Sequence, residues 1–125
     1  MRIALVAALC ALCAPPLALA QKPAGETAPS SALAKSVLDR ADDIIKQHRL
    51  LTAKQQRCSS LVFRDDSDER TGKVGVYEVH NKECGGDPDI MHRLFDLEID
   101  MKTGAAKWDN NIPDMEMRPV PKRAH

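Results

Sequence analysis

The stretch His80–Gly104, HNKECGGDPDIMHRLFDLEIDMKTG, decides how the chain folds. Phe95, Leu97, Ile99 and Met101 fall on one side of an extended segment, with Asp96, Glu98 and Asp100 on the other. Strict alternation of apolar and acidic residues marks a strand with one buried and one wet face. Lys102-Thr103-Gly104 follows as a tight hairpin turn, its glycine available for positive φ. Upstream lies a long loop, Asn81 to His92, carrying Cys84, Gly85, Gly86 and Pro88. The remainder of the chain has to cover the apolar face of this strand and anchor that loop.

The covering element lies near the N-terminus. Leu33, Val37, Ala41, Ile44, Ile45, His48 and Leu51 recur at three- and four-residue steps, the apolar stripe of an amphipathic helix. Lys35, Asp39, Asp42, Asp43, Lys46 and Arg49 fill its other face, with Asp42 and Lys46 at i,i+4 spacing. Ser30 or Ser31 is a suitable N-cap. With neither Gly nor Pro between Ser30 and Gly72, nothing in the pattern ends the helix before Gln56. His48, on the stripe, is expected at its boundary.

Between helix and loop, Ser60–Arg64 and Lys73–His80 read as two strands joined by the polar turn Asp65–Gly72. The acids of that turn lack EF-hand spacing and fit a solvated hairpin loop better than a calcium site. Alternation slips between Val76 and Tyr77, beside Gly75, which predicts a β-bulge. Ala105–Asp109, holding Trp108, is expected as a last strand. The fold class is α+β: one amphipathic N-terminal helix packed on a three- to four-stranded antiparallel sheet.

Residues 1–20 read as a secretory signal peptide: a positive start at Arg2, an apolar run from Ile3 to Ala14, and Ala18-Leu19-Ala20 as the cleavage site. The run is too short to span a bilayer. Cys10 and Cys13 fall inside it, so their spacing is not a redox motif. Residues 21–30 read as a flexible leader, 31–110 as a single domain, and 111–125, with Pro113, Pro119 and Pro121, as a poorly ordered tail. Removing Arg2 with the signal leaves 17 basic against 18 acidic residues, a formal charge of −1. That balance offers no basic surface for nucleic acid. The expected product is a soluble periplasmic monomer without a membrane anchor.

Two cysteines remain after processing, Cys58 and Cys84. In an oxidising compartment they are expected to pair.

The turn Ile99-Asp100-Met101-Lys102-Thr103-Gly104, with the strand before it, resembles the end of a PepSY-like module, an exported domain whose helix is followed by an antiparallel hairpin with a VD-x-x-T-G turn. The resemblance covers the last hairpin well and the helix loosely. It implies a non-catalytic binding or inhibitory module acting on envelope enzymes, and carries over no functional residues. His80–Pro88 also looks like a segment of small bacterial periplasmic proteins, which implies compartment and domain size.

Three chemistries are possible for the polar residues. A recognition surface for an envelope partner would use the loop residues His80, Lys82, Glu83, Gly85, Gly86, Asp87, Asp89 and His92, because loops held on a rigid scaffold often carry recognition. The acidic stripe Asp96, Glu98 and Asp100, extended by Asp109, would add a face for a basic partner. The expected partner is a peptidase or cell-wall hydrolase, or a toxin if the chain is an immunity protein, and no cofactor is expected. The rival is a metal-binding protein using His80 and His92 with nearby acids. A cysteine enzyme would need Cys84 as a free thiolate with a partner base, and pairing with Cys58 removes it.

Overall fold

A computed structural model describes residues 30–110 and 113–122. The signal-peptide reading and residues 21–29 of the leader lie outside the described residues. The elements run α1 (Ser31–His48), α2 (Ala53–Arg57), β1 (Ser59–Phe63), β2 (Thr71–Glu78), β3 (Arg93–Asp100), β4 (Ala106–Trp108) and β5 (Arg118–Pro119). The strands form one antiparallel sheet in sequence order, with α1 packed across one face. The α+β architecture is as the periodicities require.

Ser30 caps α1, its Oγ accepting from the Leu33 amide. The helix buries Val37, Ala41, Ile44 and Ile45 against Val74, Val76, Phe95, Leu97 and Ile99 of the sheet. Gly72 permits this approach: a β-carbon there would lie 2.8 Å from Val37. The Asp42–Lys46 pair forms as expected. So does the β-bulge, where the β2–β3 register shifts between Val76 and Tyr77.

The long helix is interrupted. α1 stops at His48, and Arg49 adopts the left-handed region at φ 52°. Amides of Arg49 and Leu50 close back onto Ile45 and Lys46 carbonyls, satisfying the helix end. Thr52 then starts α2 with a capping box, its hydroxyl accepting from the Gln55 amide and Gln55 Oε1 from the Thr52 amide. The break turns Leu51 into the core.

The sheet has five strands rather than three or four, and the fifth lies in the segment expected to be a poorly ordered tail. Arg118 and Pro119 pair with Trp108 and Lys107. The Val120 amide donates to the Ala106 carbonyl at 3.0 Å, and its side chain joins the core. Pro119 is tolerated because β5 is the sheet edge, where a missing N–H breaks no ladder. His48, half-buried, donates Nδ1–H to the Pro121 carbonyl at 2.9 Å and so ties this strand to α1.

Candidate functional site

The bulge decides the site. Past it, the Glu78 amide donates to the His92 carbonyl at 2.8 Å, bringing the two ends of the Val79–Met91 excursion together. The next amide, Val79, donates to the Cys58 carbonyl at 2.8 Å. Cys58 is bonded to Cys84, with Cα atoms 5.6 Å apart. The disulfide thus fastens the end of α2 to the middle of the loop, and neither sulfur is a free thiol.

Inside the loop, the Asn81 side chain accepts from the Glu83 and Cys84 amides, and the Gly85 amide returns to the Asn81 carbonyl. This tight turn needs positive φ at Gly85 (78°) and Gly86 (84°). Gly86 has a second role. A β-carbon there would fall 2.7 Å from the His80 ring, so the ring lies on bare backbone. Asp87 then presents its carbonyl to His80 Nδ1 at 2.9 Å. Because a carbonyl only accepts, Nδ1 carries the proton, and Nε2 points to Glu78 Oε2 at 3.1 Å. His92 Nδ1 lies 3.4 Å from the same carboxylate oxygen. The two imidazole rings meet edge to face, 5.2 Å between centroids. The ligand-bearing atoms of Glu78, His80 and His92 all lie within 4.8 Å of one another. A pocket of about 280 Å³ opens beside Glu78 and His80, its other wall formed by Lys54 and Gln55 of α2 and the disulfide.

The electrostatics follow from these contacts. The hydrogen bond from His80, and then that from His92, holds the Glu78 carboxyl below its ordinary 4.5. The Glu78 carboxylate, and then the Asp87 carbonyl, raises His80 above its ordinary 6.5. Stability from the raised His80 is complete below pH 6.5 and is lost as pH rises through its folded-state value. Stability from the lowered Glu78 is present above pH 4.5 and lost as pH falls through its folded-state value. Both contributions therefore operate from 4.5 to 6.5. A histidine-resolved NMR titration should place His80 above 6.5, and Glu78→Gln should return it downward. A His80 value at or below 6.5 in the native chain would contradict the pairing.

Of the residues singled out in the sequence, His80, His92, Gly86 and Asp87 converge here. Asp87 contributes its carbonyl, while its carboxylate accepts from the Asp89 amide. Lys82, Glu83 and Asp89 are exposed and make no side-chain hydrogen bond among the described residues. Cys84 is held in the disulfide and is no ligand. The acidic stripe is paired only in part. Asp96 pairs with Arg64 at 2.8 Å and Arg93 at 3.5 Å. Glu98 stands in register with Lys73 and Lys107. Asp100 accepts from the Lys102 and Thr103 amides and shapes the turn. Asp109, taken as an extension of the stripe, is buried and binds Arg93.

Glu78 is the site residue that the loop-centred reading missed. The pattern Glu78-Val79-His80 carried a signal, since residues two apart on extended chain share a face.

No protein-family model matches the chain, and neither does any curated protein or solved structure. Fold and site define a disulfide-stapled α+β domain with a Glu/His corner at one end of its sheet. No described helix is long and apolar enough to cross a membrane.

Proposed function

We propose that the chain is a non-catalytic periplasmic binding module, which binds or inhibits another envelope protein through the Lys82–His92 loop. The partner class is a peptidase, a cell-wall hydrolase or, for an immunity protein, a delivered toxin. One observation carries this reading: Ile90 and Met91 are 46% and 70% exposed at the end of a loop fixed at both sides. Cys84 is held by the disulfide on one side, and His92 by the Glu78 amide on the other. Apolar side chains displayed on a constrained loop lose little freedom on association, which favours binding. On the outer sheet face Asp96 is engaged by Arg64 and Arg93, which directs the choice to the loop rather than the stripe. The intramolecular disulfide supports an oxidising compartment, and the PepSY-like turn at Lys102-Thr103-Gly104 supports the module class.

A photoreactive residue at Met91 tests the proposal in living cells, with Val62, also an exposed apolar position, as control. A discrete adduct from Met91 and none from Val62 is the expected result. Identical patterns from the two positions, or no adduct from Met91, would sink it.

A further inference from the structure

We infer that Glu78, His80 and His92 form a binding site for one divalent zinc-class metal ion. The inference is independent of the partner-binding reading and rests on geometry. In a tetrahedral zinc site, ligand distances of about 2.0–2.1 Å put neighbouring ligand atoms roughly 3.3–3.4 Å apart. Glu78 Oε2 lies 3.1 Å from His80 Nε2 and 3.4 Å from His92 Nδ1. Two edges of the tetrahedron are therefore already near their required lengths. The third, between the two ring nitrogens, is within 4.8 Å and shortens by a small rotation of the exposed His92 ring.

The surroundings of His80 match what a metal-binding imidazole needs. Ligating histidines usually donate their other ring N–H to a carbonyl or carboxylate, which fixes the tautomer and aims the free nitrogen. Here the Asp87 carbonyl takes the Nδ1 proton, leaving Nε2 for the ion. Gly86 supplies the space for the ring in that orientation. The disulfide and the Glu78–His92 backbone bond hold the three ligands, which come from β2, its extension and the residue just before β3. Two nitrogens and one carboxylate oxygen suit zinc, and leave a fourth position for water.

Binding replaces the proton shared between His80 and Glu78, so it releases protons and strengthens as pH rises. The test is calorimetric titration of zinc chloride into the tag-free, disulfide-intact chain after chelator treatment. One zinc per chain is expected, with proton release visible as a dependence of the heat on buffer. Glu78→Gln and His92→Gln should each weaken binding at least tenfold. Gly86→Ala, which displaces the positioning contact and not a ligand, should weaken it about 10- to 100-fold. His48→Gln, outside the cluster, should leave affinity unchanged. His92 is exposed, so its variant retains the fold, and at equal zinc concentration the rise in melting temperature should be smaller for His92→Gln than for the native chain. Absence of saturable zinc binding overturns the site. Binding that persists unchanged in both Glu78→Gln and His92→Gln overturns it equally.

Discussion

The double variant Cys58→Ser/Cys84→Ser is expected to lose about 3.5 kcal/mol of stability, the chain-entropy value for a loop of this length. The bond joins residues 26 apart in sequence. Opening it lets the unfolded chain explore conformations that the closed loop forbids. A small domain has only about 5–15 kcal/mol in total, so the loss is a large share. For a domain of this size it corresponds to a fall of roughly 15–25 °C in melting temperature. Removing both sulfurs together avoids leaving a lone reactive thiol. Thermal melts of the disulfide-intact native chain and of the variant decide the matter, and a fall of only a few degrees would show that the disulfide is not the staple described here. The sheet should survive in the variant, because the core cluster from Val37 to Val120 contains neither cysteine. The loop should suffer most, because Cys84 anchors its middle and the Val79 amide rests on the Cys58 carbonyl.

Asp109→Ala is expected to cost about 3 kcal/mol, the low end for breaking a buried charged pair. Its carboxylate is buried and carries two bonds: Oδ2 accepts from Arg93 at 2.6 Å, and Oδ1 accepts from the Asp96 amide at 2.8 Å. Truncation strands the Arg93 guanidinium and leaves a backbone N–H unpaired beside it. The low end applies because Arg93 retains 22% exposure and a second acid, Asp96, at 3.5 Å. Asp109→Asn should lose less, since it keeps an acceptor for the Asp96 amide. Urea denaturation of the two variants checks this. A loss below about 0.5 kcal/mol for Asp109→Ala is the behaviour of a solvated surface acid and would contradict its buried role.

The disulfide and the buried Asp109 differ in how far the sequence alone shows them. Pairing of Cys58 with Cys84 follows from an expected compartment and a count of two, so the sequence exposes it. The role of Asp109 does not. Along the chain it looks like one more acid after a row of acids, and nothing local distinguishes it from Glu98. Only the turn at Lys102-Thr103-Gly104 brings it back alongside Asp96, where Arg93 can reach it. Glu78 and His92 are similar. They lie 14 residues apart, and the bulge after Val76 sets the phase that puts their side chains together.

The end of α1 illustrates a subtler gap. Its apolar stripe passes through Leu51 without interruption, and no Gly or Pro marks a stop. The stop is made by Arg49 in a left-handed conformation, which a non-glycine residue adopts at some cost. That cost is offset by seating Leu51 in the core and by the capping box of Thr52 and Gln55. Likewise β5, with Pro119 in it, has no strand signal. It forms because an edge tolerates proline and because Val120 closes the core.

By itself the sequence determined the strand with its buried and wet faces, the stripe of the helix, the bulge and the cysteine pair. Each is written in residue periodicity or residue type, which burial and chirality convert directly into local form. Tertiary structure alone decided where the helix breaks, that a fifth strand completes the sheet, which acids are neutralised, and that Glu78 joins His80 and His92. Those outcomes depend on register between distant segments, and register is set by the packing of the whole core.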